Sequence, residues 1–79
     1  MTKVKVYSTP TCGHCVSLKR FLDEKNIVYE DIDVSANQEI LQEMITKSGQ
    51  FFVPVLEVDG EYIVGFNKYE ICKKLNIEE

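Results

Sequence analysis

The chain has 79 residues, of which 44% are hydrophobic and 28% charged, and this composition indicates one globular domain over residues 1–79 rather than a disordered segment. Thirteen acidic residues against nine basic ones leave a net charge of -4, which excludes nucleic acid as a partner because binding to phosphates requires a surplus of Lys and Arg. No apolar run approaches the ~20 residues of a membrane span, so we expect no association with membranes. The N-terminus lacks the apolar region of a signal peptide, so we expect a cytoplasmic protein. We also expect a monomer.

The first half of the chain predicts a strand, a helix and a second strand. Residues 3–7 alternate charged with β-branched or aromatic side chains, which predicts the first strand. Residues 13–25 place apolar side chains at helical spacing and predict the first helix. Residues 28–34 predict the second strand, in which Val28, Ile32 and Val34 are expected to share one face.

A second helix is predicted after this strand. Ser35 and Gln38 stand at the spacing of a capping box, with Ser35 as the N-cap and Gln38 at the third helical position. Apolar side chains then mark one helix face up to Met44 and Ile45. Gly49 suits the C-terminal end, because a helix commonly ends on a residue in the left-handed conformation.

The last third of the chain predicts a hairpin and a final helix. Residues 53–58 and 61–64 are β-rich, and the Asp59-Gly60 pair between them is a strong signal for a two-residue hairpin turn. Asn67 stands three residues before Glu70 and repeats the capping pattern at the start of the third helix. The order βαβαββα joins a parallel strand pair, formed by a right-handed crossover, to an antiparallel hairpin. The expected fold is α/β, with a four-stranded mixed sheet flanked by three helices.

The main chemical signal is a pair of cysteines separated by two residues. Residues 11–15 read Thr-Cys-Gly-His-Cys, directly after the first strand and at the start of the first helix. At that position Cys12 meets unpaired backbone N–H groups and the positive end of the helix dipole, and both favour the nucleophilic thiolate. Cys15 lies one turn further along the apolar stripe, where we expect a buried, protonated thiol. A disulfide between them closes a very small loop and adds little stability, so the pair suits a redox switch better than a structural bridge.

The residues around Cys12 are predicted to modulate it. Residues 1–22 contain basic side chains but no Asp or Glu, and this helps to hold an anion at the sulfur. A partly protonated His14 beside Cys12 stabilises the thiolate; the alternative is an exposed loop histidine without a role. Thr11 and Gly13 complete the set of modulating residues.

The cysteines allow other interpretations. A zinc site would draw on both cysteines of the motif, on His14 and on Cys72, but structural zinc usually requires a second pair of ligands that this chain lacks. No metal site is therefore predicted. Cys72 is either a regulatory thiol or a small buried hydrophobe, and its spacing with Tyr69 and Leu75 favours the packed face of a helix.

The βα position of the cysteine motif, the βαβαββα order and the Val53-Pro54 dipeptide together resemble the thioredoxin superfamily. Residues 7–15, which read Tyr-Ser-Thr-Pro-Thr-Cys-Gly-His-Cys, are most similar to glutaredoxins, and the resemblance runs over residues 4–75. It implies a thioredoxin-like fold and a dithiol thiol–disulfide oxidoreductase. In such an enzyme Cys12 attacks a disulfide, and Cys15 resolves the mixed disulfide that forms.

The resemblance also implies a glutathione site. Pro54 matches a cis-proline that faces the cysteines, and the backbone of Val53 before it pairs with an extended peptide such as glutathione. Gln50 matches the position that binds the glycyl carboxylate. The positions that match contacts to the γ-glutamyl end are Gly65, Phe66, Asn67 and Lys68. The last four precede or open the third helix, whose N-terminus favours an anion.

The sequence departs from the glutaredoxin pattern in three places. Gly13-His14 replaces the common Pro-Tyr, Thr9 stands where many members have Lys or Arg, and residues 64–68 depart from the usual Gly-Gly-x-Asp-Asp segment.

The resemblance still implies glutathione-linked reduction of protein disulfides or glutathione mixed disulfides. Glutathione would be a co-substrate, disulfide-containing proteins the clients, and no cofactor would be bound permanently. One alternative is a thioredoxin-like electron donor that a thioredoxin-type reductase reduces. The other is an iron–sulfur cluster carrier, which the presence of Cys15 disfavours.

Overall fold

The computed structural model describes residues 3–77, which form four strands and three helices in the order βαβαββα. The strands are β1 (Val4–Ser8), β2 (Glu30–Asp33), β3 (Val55–Val58) and β4 (Glu61–Val64), and the helices are α1 (Gly13–Glu24), α2 (Gln38–Ser48) and α3 (Lys68–Leu75). The sheet order is β2-β1-β3-β4, with β1 parallel to β2 and antiparallel to β3. The predicted fold class is thereby confirmed. Each helix in this part of the chain is too short or too polar to cross a membrane.

The central strand β1 contributes side chains to two separate cores, because successive side chains of a strand point to opposite faces of the sheet. Val4 and Val6 face α1 and α3, where they pack with Leu18, Phe21, Leu22, Leu56, Val58, Ile63 and Ile71. Tyr7 points to the other face and packs with Val34, Val55 and, from α2, Met44. The sheet is therefore covered by α1 and α3 on one side and by α2 on the other.

The start of α2 differs from the prediction. Asn37, not Ser35, is the N-cap, and its Oδ1 accepts hydrogen bonds from the backbone N–H of Glu39 at 2.9 Å and of Ile40 at 3.3 Å. Ser35 is bonded instead to Asp33, whose Oδ1 accepts its N–H at 2.9 Å and its hydroxyl at 2.6 Å. The Asp33 carboxylate is a strong, nearby acceptor for the Ser35 hydroxyl, and it closes a turn that delays the start of the helix to Asn37.

The strand β2 is shorter than predicted, since it begins at Glu30. Ile32 and Val34 pack on the same side of the sheet as predicted, but Val28 is 89% exposed, so its placement on their face is wrong. The cause is the connection after α1, where Asn26 takes a positive φ of 58° and the chain needs several more residues to reach the sheet edge. The Asp59-Gly60 turn is confirmed, because both residues have the positive φ of a primed hairpin turn.

The helix α3 confirms one prediction and corrects another. Asn67 caps it as predicted, with its Oδ1 accepting the N–H of Glu70 at 3.2 Å. Cys72 is half-buried against the α1–α3 core, but Tyr69 is 69% exposed. Cys72 and Leu75 therefore share the packed face of α3 as predicted, whereas Tyr69 does not belong to it.

Truncating Leu56 tests the core beneath the sheet. This side chain is fully buried in β3, so Leu56→Ala is expected to lower the free energy of unfolding by about 2–5 kcal/mol. Urea titration followed by circular dichroism measures the change. Val28→Ala is the control, because an exposed side chain is expected to change stability by no more than about 0.5 kcal/mol. Equal losses in the two variants would contradict the assigned core.

Candidate functional site

The cysteine motif lies where β1 turns into α1. The chain leaves the strand at Ser8, and the N–H of Cys12 donates to the carbonyl of Thr9 at 3.3 Å to close the turn. Cys12 is the N-cap of α1, with extended backbone angles of φ -88° and ψ 112°. The motif thus occupies the carboxyl end of a central strand and the N-terminus of a helix, which is where α/β sheets place ligands.

The sulfur of Cys12 takes the role of the helix-capping acceptor. The backbone N–H of Cys15 donates to Cys12 Sγ, and the two atoms are 3.1 Å apart. The first-turn N–H groups have no partner inside the helix, and the helix end carries positive partial charge, so this contact stabilises a negative sulfur. No acidic side chain stands in the first turn of α1 to oppose that charge. Cys12 is only partly buried, in contrast to the fully buried Cys15.

The sulfur of Cys15 has the opposite environment. Its side chain is fully buried beside Leu18, as the sequence predicts. The pKa of the Cys15 thiol is raised to about 12. The larger cause is burial, because the thiolate would lose its solvation, and the neighbouring Cys12 is a second cause. Cys15 is consequently protonated at neutral pH. The two cysteines therefore differ in both charge environment and access.

A second wall of the site comes from the segment before β3. The peptide bond between Val53 and Pro54 is cis, and the Val53 carbonyl oxygen lies 3.9 Å from Cys12 Sγ. The carbonyl of Pro54 accepts the N–H of Gly65 at 2.8 Å, which connects this wall to the end of β4. The structure therefore links the cysteine motif, the Val53-Pro54 dipeptide and the segment that begins at Gly65, although the three are far apart along the chain.

The loop before this wall is held by the side chain of Gln50. Its Oε1 accepts the backbone N–H of Phe52, and its Nε2 donates to the Phe52 carbonyl at 3.1 Å and to Ser48 Oγ at 3.3 Å. Both ends of the amide are therefore engaged within the loop. The contact of Gln50 with a glutathione carboxylate stays a prediction.

The rings of Phe51 and Phe52 form an exposed pair in the same loop. Their centroids are 4.6 Å apart in a stacked arrangement, and the side chains are 67% and 63% exposed. Sequence reasoning did not identify these residues as functional. The available signal was two adjacent aromatic side chains in a segment that leads directly into the Val53-Pro54 dipeptide.

The segment from β4 to α3 packs against α1. Gly65 has a positive φ of 80°, and the ring of Phe66 lies 5.8 Å from that of Phe21. Lys68 Nζ lies 5.7 Å from the centroids of both rings, a cation–π arrangement, while Asn67 caps α3. The side chains of Asn67 and Lys68 therefore already have partners within the protein, and their contacts with glutathione stay predictions.

The remaining motif residues lie at the surface. Thr11, Gly13 and His14 are exposed around the first turn of α1, and a side chain at Gly13 would meet no atom within 4 Å. Their modulating role stays a prediction. Among residues 3–77 no three His, Cys, Asp or Glu side chains come together in a group able to hold a metal ion.

A polar network fixes the end of β1 beneath the motif. Ser8 is buried, and its hydroxyl donates to Asp31 Oδ1 at 2.9 Å. The other oxygen of Asp31 accepts from Lys19 Nζ at 3.0 Å. This network ties β1, β2 and α1 together at the level of the cysteines. It also pairs Lys19 with a carboxylate, so less of the basic charge noted in the sequence acts at Cys12 than its position along the chain indicates.

Comparisons with known proteins agree with this geometry. The family model described as Glutaredoxin matches residues 4–63. An uncharacterized glutaredoxin-like 8.6 kDa protein in the rubredoxin operon of Clostridium pasteurianum is 47% identical over 70 residues, which cover 89% of this chain and 93% of that protein. Glutaredoxin 3 of Escherichia coli (strain K12) is 31% identical over 65 residues, which cover 82% of this chain and 78% of that protein. Among solved structures, a variant of the thioredoxin-like protein BC3987 has a TM-score of 0.90 and 33% identity, covering 99% of this chain and 100% of that one.

The buried thiol of Cys15 predicts a loss of stability at alkaline pH. The folded thiol stays protonated up to a pKa of about 12, whereas the unfolded chain ionises it from its usual value of 9.0. Unfolding therefore releases a proton between these values, and the free energy of unfolding falls as pH rises. Three tyrosines have raised pKa values and act in the same direction: Tyr7, Tyr29 and Tyr62.

The control for this prediction is Cys15→Ser, which removes the thiol and keeps the tyrosines. We expect the free energy of unfolding to decline more steeply from pH 8 to 10.5 in the wild type than in Cys15→Ser. Urea titration in the presence of a reductant measures it for both proteins. Parallel curves for the two proteins would contradict the assigned environment of Cys15.

Proposed function

The chain belongs to the glutaredoxin family, and on that premise we propose that it is a thiol–disulfide oxidoreductase that works through the dithiol of Cys12 and Cys15. The observation that carries the proposal is the contrast between the two sulfurs. Cys12 is only partly buried and its Sγ accepts a helix N–H at 3.1 Å, while Cys15 is fully buried one turn away. A nucleophile at the surface and a protected second thiol are what a two-step exchange requires.

In the first step the Cys12 thiolate attacks one sulfur of a client disulfide. A bond forms between Cys12 Sγ and that sulfur, the client S–S bond breaks, and the second client sulfur leaves as a thiolate that takes a proton from water. The N–H of Cys15 assists by holding the negative charge on the attacking atom until the bond forms.

In the second step Cys15 attacks Cys12 Sγ and releases the client. The Cys15 thiol gives its proton to the departing client thiolate, and the Cys12–Cys15 disulfide forms, so two electrons pass to the client. Cys12 is uncharged in the mixed disulfide, which removes its contribution to the raised pKa of Cys15. Formation of the first bond therefore makes the second thiol easier to ionise.

Glutathione is the proposed reductant of the Cys12–Cys15 disulfide and the proposed co-substrate. For a glutathionylated client, glutathione would be captured on Cys12. Its cysteinyl backbone would pair with Val53, whose carbonyl borders Cys12 Sγ at 3.9 Å. The further proposed contacts are Gln50, Pro54, Gly65, Phe66, Asn67 and Lys68. Such a reaction suits the cytoplasm, where thiols are kept reduced, and we propose that location.

A second candidate is an electron donor that a thioredoxin-type reductase reduces. One observation favours it: the amide of Gln50, which would meet a carboxylate of glutathione, is already hydrogen-bonded within its own loop. The similarity to the thioredoxin-like protein BC3987, at 33% identity over nearly the whole chain, also supports it. Comparing steady-state turnover with glutathione and glutathione reductase against turnover with thioredoxin reductase separates the two candidates.

Single serine substitutions test the proposed dithiol. Cys12→Ser is expected to abolish reduction of both a protein disulfide and a glutathione mixed disulfide, because it removes the attacking sulfur. Cys15→Ser is expected to keep reduction of the glutathione mixed disulfide but to accumulate a mixed disulfide with a protein client, detected by mass spectrometry. Cys72→Ser is the matched control and is expected to retain both activities. Activity that survives Cys12→Ser would contradict the proposal.

A further inference from the structure

We propose that the Phe pair, Phe51 and Phe52, selects protein disulfides that carry an apolar side chain next to the reacting cysteine. The inference deepens the proposed function and rests on it, since it requires that Cys12 attacks the client. The pair would thus be a specificity-determining element, and its occupant would be an apolar side chain of an extended client segment.

The position of the Phe pair supports this role. Phe52 directly precedes Val53, whose carbonyl oxygen lies 3.9 Å from Cys12 Sγ. A client cysteine attacked by Cys12 would therefore bring its neighbouring residue to the loop that carries the rings. Neither ring belongs to the two cores, and both keep more than half of their surface exposed. The stability of the fold gives no reason for two large apolar side chains at this place.

The loop holds the rings ready for binding. The amide of Gln50 bonds both the N–H and the carbonyl of Phe52, so the backbone between them has little freedom to rearrange. Ser48 ties the loop to the end of α2, because its hydroxyl oxygen accepts from Gln50 Nε2 at 3.3 Å while its hydrogen faces the Met44 carbonyl, 2.6 Å from Oγ, and the Gln50 carbonyl, 3.0 Å from Oγ. A preordered aromatic pair binds an apolar group with a small loss of conformational entropy. The same contacts occupy the amide of Gln50, the side chain in this loop that would otherwise bind a carboxylate.

The charge beside the Phe pair favours an uncharged side chain of a protein client as its occupant. Residues 9–18 contain Cys12, residues 50–56 form the loop beside it, and residues 64–67 bond that loop through Gly65. None of these segments contains Asp, Glu, Lys or Arg. Glutathione carries two carboxylates and an ammonium group, which find no opposite side-chain charge within these segments. Lys68, which follows directly, is held over the rings of Phe21 and Phe66. An apolar side chain beside a cysteine needs no such charge and gains by covering the Phe pair.

A peptide pair tests the inference directly. Two short peptides form symmetric disulfide dimers and are identical except that the residue before cysteine is Phe in one and Ser in the other. The reduced protein reacts with each in a single turnover, so the result does not depend on which reductant regenerates it. Oxidised glutathione is the third substrate. We expect the wild type to reduce the Phe peptide about tenfold faster than the Ser peptide, the factor that one aromatic contact contributes.

The double variant Phe51→Ala/Phe52→Ala is expected to lose this preference while its rates on the Ser peptide and on oxidised glutathione stay unchanged. Phe52→Leu, which keeps an apolar side chain, is expected to retain part of the preference. Val28→Ala removes exposed apolar surface outside the segments around Cys12, and it is expected to behave as the wild type. Circular dichroism shows whether each variant is folded.

Two results would overturn the inference and leave the proposed function intact: equal rates of the wild type on the two peptides, or an undiminished preference in the double variant. An equal fall of the double variant on all three substrates would also overturn it, because the rings would then serve the general reaction. A wild type that reduces none of the three substrates would overturn the proposed function as well.

Discussion

The reactivity proposed for this protein depends on one hydrogen bond, in which the N–H of Cys15 meets Cys12 Sγ across 3.1 Å. The side chain at the N-cap of a helix usually provides an oxygen from Ser, Thr, Asp or Asn. Here the N-cap is a cysteine, so the atom that starts α1 is also the proposed nucleophile. Helix formation and activation of the sulfur therefore use the same contact, and neither is available to an unfolded chain. The burial of Cys15 follows from the same geometry, since the residue that donates the N–H turns its own side chain toward the core.

The remaining structure keeps that turn in place. Buried leucines of α1 hold the helix on the sheet, and the contact of Ser8 and Lys19 with Asp31 ties β1, α1 and β2 together at the level of the motif. From the opposite side, the bond between Pro54 and Gly65 connects the wall beside Cys12 to the hairpin. The site is thus assembled from loops, but each loop is anchored to an element that belongs to a core. The exposed side chains of these loops are not needed for the cores and are free to differ in chemistry. In this chain the loop of residues 50–56 carries the Phe pair and no charged side chain.

Sequence reasoning succeeded where local chemistry decides the structure. The turn at Asp59-Gly60 and the cap at Asn67 were predictable because each depends on residues within a few positions of one another. It failed at Ser35, whose N–H and hydroxyl donate to Asp33 while Asn37 accepts the helix N–H groups, and no spacing rule chooses between two candidate caps. The approach of Val53 to Cys12 spans 41 positions, and only the family resemblance indicated it. The loop held by Gln50 has no periodicity, and aromatic residues in β-rich sequence are ordinarily read as core, so the exposed rings were not foreseen.

The central claim is that the helix N-terminus makes Cys12 the reactive sulfur of the three cysteines. Iodoacetamide labelling of the reduced protein at pH 7, followed by peptide mass spectrometry over time, tests it most directly. The account predicts that Cys12 is labelled severalfold faster than both Cys72 and free cysteine, and that Cys15 remains unlabelled while the protein is folded. Labelling of Cys12 no faster than Cys72, or equal labelling of Cys12 and Cys15, would contradict it.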